Sequence, residues 1–159
     1  VQRLSENKFR ITSAEPNLEW IESNSTGMDV MIKDDSSSTA ALALQGPNSR
    51  AILNAVSSKS LDSLKFFWMI DTTFENIPVT ISRTGYTGDL GYEIFLPNKL
   101  AKITWDKIWK AGKNLGIKAI GLNALNIAKK QKALKAVIFS STSEVYAGTL
   151  EHNLLKIPR

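Results

Sequence analysis

Three glycines, Gly85, Gly88 and Gly91, recur at intervals of three residues between two stretches that are typical of β-strands. Glycine has no Cβ atom, so it permits left-handed backbone conformations and a close approach of other groups. A dinucleotide-binding fingerprint needs GxGxxG between a strand and a helix, whereas residues 92–96 (YEIFL) predict a strand. The glycines therefore predict a tight connection between strands rather than a phosphate site.

Glu93, Tyr86 and Tyr92 are interleaved with these glycines. A carboxylate can accept two parallel N–H bonds from a guanidine-like edge, and aromatic side chains can cover a flat ring. The pattern fits a site for a flat ring with N–H donors, in which Glu93 accepts the bonds and the tyrosines form walls. A glycine-rich hairpin with surface tyrosines is the alternative, and the residues by themselves favour it.

Composition excludes several kinds of site. The chain contains no cysteine, so disulfides, thiolate zinc sites and cysteine nucleophiles are excluded. The single histidine, His152, lies in a polar stretch typical of a surface, and we predict neither a metal site nor a catalytic residue within the 159 residues. No apolar run approaches the roughly 20 residues that span a bilayer, and residues 1–10 do not resemble a secretory signal. We expect a cytoplasmic location, or the mitochondrial matrix in a eukaryote.

Positive charge is concentrated in residues 99–135, which contain ten lysines and one aspartate. Such a segment could attract nucleic acid, an anionic membrane or a polyanionic ligand. A solvated helix face is the alternative, and the sequence leaves both open.

The mixture of strand and helix patterns predicts an α+β fold, with two early β-α-β units forming split, ferredoxin-like lobes. Residues 1–137 are predicted to form one domain, and residues 138–159 an irregular tail that leads to a further domain. Strands are predicted at 9–14, 28–33, 40–44, 65–74, 78–83 and 91–96, with a turn at 75–77. Helices are predicted at 13–27, 47–56, 97–112 and 119–137, with Ile52, Leu53, Val56, Ile103 and Ile108 facing the core.

Residues 82–95 (SRTGYTGDLGYEIF) resemble the signature segment of the glycine cleavage system T-protein (aminomethyltransferase) family. That family also includes the folate domains of sarcosine and dimethylglycine dehydrogenases. Three further segments resemble family segments in the same order, namely 10–15 (RITSAE), 42–48 (LALQGPN) and 121–128 (GLNALNIA). The resemblance covers roughly residues 1–128.

The resemblance implies several small α+β lobes around a folate pocket, in which tetrahydrofolate accepts a one-carbon unit from an amine. In the T-protein the donor is an aminomethyl group on a lipoyl arm, and ammonia is released. The implied partners are folate and either a small amine or a lipoyl-carrying, H-protein-like donor. Glu93 occupies the position that binds the pterin ring in this family, and Tyr86 and Tyr92 are candidate walls.

Several positions depart from the family pattern. Leu125 stands where the T-proteins have an arginine that helps to bind folate, and Asn126 stands where aspartate is usual. Leu125 is familiar in the dehydrogenase-linked relatives and favours a branch other than the T-protein. The expected R-x-E pattern is replaced by Lys129, Lys130 and Gln131. Residues 129–137 (KKQKALKAV) fit the family poorly, either because the sequence has diverged or because the reading frame is disturbed.

The catalytic aspartate of the family lies upstream of the segment that resembles 1–4. We therefore expect the chain to be a piece of a longer enzyme, without the N-terminal part and the C-terminal barrel. On this basis the isolated 159 residues should not catalyse one-carbon transfer.

Two other functions compete with a transferase. Non-catalytic folate-binding relatives linked to iron–sulfur assembly carry a cysteine in K-G-C-Y-x-G-Q-E, whereas this loop has Thr84 and no cysteine. A nucleic-acid-binding module would need aromatic residues on the lysine face of 99–135, but the helical spacing of Trp105 and Trp109 is equally typical of core residues. Within the folate hypothesis, the same lysines could attract a polyglutamate tail.

Overall fold

The computed structural model describes residues 1–13, 17–85, 87–121 and 136–142 of the chain. The strands are β1 Gln2–Ser5, β2 Lys8–Arg10, β3 Thr39–Gln45, β4 Met69–Phe74, β5 Ile77–Ser82, β6 Gly91–Pro97, β7 Ile117–Ala119 and β8 Ala136–Thr142. The helices are α1 Leu18–Asn24, α2 Ser49–Asn54 and α3 Ala101–Gly112, with short 3-10 turns at Asn98–Leu100 and Lys113–Leu115. No helix in the described part of the chain is long and apolar enough to cross a membrane.

Six strands form one sheet in the order β4-β5-β6-β3-β8-β7, and β1 and β2 form a separate antiparallel hairpin. Neighbouring strands of the sheet are antiparallel except for β7 and β8, which are parallel. Strand β3 pairs with β6 along its whole length, from Thr39 opposite Pro97 to Gln45 opposite Gly91. The mixed helix and antiparallel-sheet architecture agrees with the predicted α+β class.

Helices α2 and α3 cover one face of the sheet and form the core with it. Alternate residues of a strand point to opposite faces, and the even-numbered residues of β3 and β6 belong to the core cluster. On α3 the buried residues Thr104, Ile108 and Gly112 follow one another at intervals of four, so they form a single stripe. The predicted core residues Ile52 and Leu53 are fully buried, and Val56 packs against the cluster.

Three predicted strands are wrong, in whole or in part. Of the strand predicted at 9–14, only residues 9 and 10 belong to β2, and residues 11–13 lie outside the strands. Residues 28–33 lie outside the strands of the structure, and Met28, Val30 and Met31 are exposed. The alternation is present there, but a strand needs a partner for its backbone groups. The strand predicted at 65–74 begins only at Met69, because Phe67 adopts a left-handed φ of 64° and the Trp68 amide donates back to Lys65.

The predicted helix 119–137 is also wrong at both ends. Ile117–Ala119 forms β7 and pairs in parallel with residues 136–138 of β8, and these tertiary contacts override the local helical pattern. Strand β8 continues to Thr142 along β3, so the irregular tail predicted from residue 138 does not hold for residues 138–142. The middle of the predicted helix, 122–135, and the segment 143–159 lie outside the described residues.

Helix α3 offers a matched test of the core. Ile108 is fully buried, whereas Ile103, which was predicted to pack, is 49% exposed. We expect Ile108→Ala to lower the free energy of unfolding by about 2–5 kcal/mol, because it removes buried methyl groups and leaves a cavity. Urea unfolding followed by circular dichroism would measure this, with Ile103→Ala as the control. Equal losses in the two variants would contradict the packing of α3 described above.

Candidate functional site

The face of the sheet that points away from the core carries a row of polar side chains. By strand alternation and register, Gln45 of β3, Ser82 of β5 and Glu93 of β6 point to this side. Ser82 lies directly opposite Glu93, and Gln45 lies opposite Gly91. We call this side, with its side chains Gln45, Thr80, Ser82, Glu93 and Phe95, the polar face.

A neighbouring threonine orients the carboxylate of Glu93. Thr84 Oγ1 donates a hydrogen bond to Glu93 Oε2 and lies 3.0 Å from Oγ of the buried Ser82. An ionised carboxylate can only accept hydrogen bonds, so Thr84 must be the donor. No hydrogen bond to Oε1 is formed by the described residues. Glu93 is half-buried, and Oε1 is therefore available to an incoming N–H group.

The side chain of Gln45 explains why two of the glycines are required. A Cβ atom on Gly91 would lie 1.8 Å from Gln45 Oε1, and one on Gly85 would lie 2.3 Å from the same atom. Gln45 is buried and held at both ends: Nε2 donates to the Tyr92 carbonyl at 3.2 Å, and Oε1 accepts from Thr87 Oγ1 at 3.0 Å. The amide of Gln45 thus occupies the space that the two glycines leave open.

Gly88 is required for its backbone conformation, whereas Gly85 and Gly91 are required for space. Its φ of +78° lies in the left-handed region, and a Cβ atom there would meet nothing within 4 Å. The prediction that the glycines permit positive-φ turns or close approach is confirmed. Gly88 allows the turn, while Gly85 and Gly91 allow the approach of Gln45.

The predicted wall residue Tyr92 is placed away from Glu93. Its side chain has no exposed surface and belongs to the core cluster, on the opposite face of β6. Its hydroxyl accepts a hydrogen bond from Arg50 Nε at 3.0 Å, and this bond is the main cause of a raised pKa of Arg50. The structure therefore does not bring Tyr92 and Glu93 together on one surface. Tyr86 lies outside the described residues, so its role stays a prediction.

The sequence did not single out Arg10, which the structure brings to the polar face. The Arg10 guanidinium lies 5.2 Å from the centroid of the Phe95 ring. Phe95 is buried, and it points to the same side of β6 as Glu93, which precedes it by two residues. No sequence signal indicated Arg10, because its apolar neighbours Phe9 and Ile11 would be expected to face inward, whereas both are exposed and Arg10 is half-buried.

The lysines of α3 lie on the other side of the sheet, because α3 packs against the core face. Lys107 forms an ion pair with Glu75 at 2.6 Å, and Lys102 forms one with Asp106 at 2.7 Å. The structure does not bring these lysines to Glu93, and Trp105 packs partly against the core. A polyglutamate contact by the lysines at 129–135 stays a prediction, since these residues are not described.

Comparison with known proteins identifies relatives over most of the chain. The family model of the GCVT N-terminal domain matches residues 1–145. An aminomethyltransferase of Halothermothrix orenii is 41% identical over 121 residues, which cover 76% of this chain and 34% of the relative. One of Thermoanaerobacter sp. is 35% identical over 139 residues, covering 84% and 38%, and one of Bacillus cereus is 37% identical over 124 residues, covering 77% and 34%. The chain spans about a third of the length of these relatives.

The contact between Gln45 and Gly91 predicts a coupled pair of substitutions. We expect Gly91→Ala to lower the free energy of unfolding by about 1–3 kcal/mol or more, because its methyl group would overlap the Gln45 amide. In the double variant with Gln45→Ala that overlap is absent. The double variant should therefore lose less free energy of unfolding than the two single variants lose together, by about 0.5–3 kcal/mol. Urea unfolding of the four proteins measures this coupling.

Gly121→Ala is the control for these substitutions, because a Cβ atom at this exposed position meets nothing within 4 Å. It should change the free energy of unfolding by less than about 0.5 kcal/mol. Additive losses for Gln45→Ala and Gly91→Ala would contradict the proposed overlap.

The Thr84 hydroxyl yields a second prediction. Thr84→Val keeps the shape of the side chain but leaves Ser82 and Glu93 Oε2 without this partner, so unfolding should become easier by about 1–3 kcal/mol. Thr84→Ser keeps the hydroxyl and should lose less than Thr84→Val in the same urea titration. Identical stabilities for the two variants would show that the hydroxyl does not support Glu93.

Proposed function

Because the chain belongs to the family of the GCVT N-terminal domain, we propose that it forms the tetrahydrofolate-binding part of an aminomethyltransferase-like enzyme. The observation that carries the proposal is the Glu93 carboxylate on the polar face, with Thr84 bonded to one oxygen and the other available. The family position of Glu93 and its orientation by Thr84 support the same role.

The residues fit the chemistry of a pterin ring. The ring presents an amino group and a ring N–H side by side, and a carboxylate can accept both in a bidentate arrangement. Glu93 would accept these two hydrogen bonds, while Thr84, which is itself hydrogen-bonded to Ser82, holds the carboxylate in place. The burial of the surrounding strands reduces competition from water, which strengthens such charged hydrogen bonds.

In the proposed reaction, tetrahydrofolate accepts a one-carbon unit from an amine donor, either a small amine or an aminomethyl group on an H-protein-like lipoyl carrier. The relatives are named aminomethyltransferases, and that name supports transfer of this kind. Within the 159 residues, our proposal is limited to binding and orienting the folate, and we assign no catalytic residue.

The finer fold is part of the same proposal. Strands β8, β3, β6 and β5 are adjacent in that order and antiparallel, and α2 and α3 follow β3 and β6 along the chain. This β-α-β-β-α-β connectivity, with β4 and β7 as additions, supports a ferredoxin-like lobe as one unit of the fold around the folate.

Glu93→Gln tests the proposed function. The substitution preserves the shape of the side chain, but its amide brings an N–H group where the pterin needs an acceptor. We expect tetrahydrofolate affinity to fall about 10- to 100-fold, because hydrogen bonds to a charged group are lost. Isothermal titration calorimetry under reducing conditions would measure the change.

Glu75→Gln is the matched control, since Glu75 is an exposed glutamate at the β4–β5 turn and pairs with Lys107 of α3. It should bind tetrahydrofolate like the wild type. Unchanged affinity in Glu93→Gln, or no binding by the wild-type chain, would refute the proposal.

A further inference from the structure

The β1–β2 hairpin has two distinct faces. Gln2 and Arg10 are opposite one another in the register and are both half-buried. Arg3 and Phe9, one position along each strand, are exposed and contact each other, with the Arg3 guanidinium 6.0 Å from the Phe9 ring centroid. The inner face of the hairpin carries the polar side chains of Gln2 and Arg10 beside the half-buried Leu4, and Arg10 contacts Phe95 from this face.

Two buried polar atoms on this inner face lack partners. Gln2 Oε1 and Arg10 Nη1 are inaccessible to solvent, and neither forms a hydrogen bond with the described residues. One atom is an acceptor and the other a donor. Buried polar groups are nearly always hydrogen-bonded, so an adjacent pair of this kind indicates a group that offers both a donor and an acceptor.

The nearby aspartate is already engaged elsewhere. Asp35 accepts hydrogen bonds from Ser38 and Thr39 and lies 3.8 Å from the ammonium group of Lys33. The Ser38 hydrogen bond is the main cause of a lowered pKa of Asp35, and Arg10 is only a minor one. No ion pair between Arg10 and a carboxylate is formed within the described part of the chain.

Glu93 offers hydrogen-bond acceptors and Arg10 offers donors on the same side of the sheet. Phe95, under the Arg10 guanidinium, is two residues from Glu93, a separation of about 7 Å along a strand. A ligand along this face would meet a hydrogen-bond acceptor at Glu93 and donors at Arg10. Folate has the complementary polarity, with N–H donors on its pterin ring and carboxylates on its glutamate end.

We propose that Arg10 and Gln2 bind the benzoylglutamate end of the folate whose pterin ring binds to Glu93. Arg10 donates to the carbonyl or carboxylate oxygens, and Gln2 Oε1 accepts from the amide N–H of the benzoylglutamate link. This inference rests on the proposed function, and it adds a specificity-determining contact that distinguishes folate from a pterin without a glutamate.

The test compares tetrahydrofolate with 6-methyltetrahydropterin, which keeps the pterin ring but lacks the benzoylglutamate, on the full 159-residue chain. Arg10→Met keeps an unbranched side chain on Phe95 but removes the donors. It should weaken tetrahydrofolate binding about tenfold or more, as for a lost charge-assisted bond, and leave binding of 6-methyltetrahydropterin within about twofold. Glu93→Gln should weaken binding of both compounds.

Arg3→Met is the matched control, because it removes the same charge from the outer face of the same hairpin. Arg3 donates only to the carbonyls of Ser5 and Glu6, both at 3.3 Å, among its hydrogen bonds in the described chain. It should bind both compounds like the wild type. A selective loss in Arg10→Met that is absent from Arg3→Met supports a direct contact over a general effect of charge.

Failure of the role proposed for Arg10 and failure of the proposed function give different results. If Glu93→Gln weakens both compounds while Arg10→Met weakens neither, or weakens both equally, the role of Arg10 is overturned and the proposed function stands. If the wild type binds neither compound, both are overturned. Should Arg10→Met not fold, Arg10→Lys replaces it: the lysine lacks the planar fork of donors, so a smaller selective loss of tetrahydrofolate affinity is expected. Equal behaviour towards the two compounds would then overturn the inference.

Discussion

The amide of Gln45, packed against the bare backbone of Gly85 and Gly91, determines how the chain passes from β5 to β6. Both ends of this connection contact the same side chain, and Thr87 in its middle donates to Gln45 Oε1. Thr84, which lies within the connection, is thereby brought to the Glu93 carboxylate. The candidate site thus depends on a buried side chain from β3, a strand that contributes no ligand-binding residue to the proposal.

Strand alternation sends neighbouring side chains of the signature segment, residues 82–95, to opposite faces of the sheet. Tyr92 and Glu93 are adjacent in sequence, yet one fills the core and the other faces the opposite side. The aromatic residue beside Glu93 on its own face is Phe95, and Arg10 of the hairpin covers it. Strand β6 therefore supplies one acceptor and one buried ring, and the other contacts to a large ligand must come from other segments.

Much of the antiparallel sheet and the position of Glu93 could be predicted from sequence, because alternation and glycine spacing act locally. The failures at 28–33 and 117–119 have a different cause, since a strand exists only where another strand is available to pair with it. The role of Gln45 could not be predicted from sequence either, because its contact with Gly85 joins residues that are 40 positions apart. Arg10 was overlooked since its position over Phe95 depends on how a short hairpin meets the sheet.

The polar pair on the inner face of that hairpin is difficult to explain by stability alone. An apolar side chain in place of Arg10 could cover Phe95 without burying a donor that has no partner among the described residues. Each unsatisfied buried group costs about 1–3 kcal/mol, and the cation–π contact with Phe95 returns about 0.5–2 kcal/mol for Arg10 alone. Gln2 obtains no such compensation from its side-chain oxygen. Departures from local rules of this kind tend to occur where a protein binds something, which is why we propose the hairpin, rather than Tyr92, as the second half of the site.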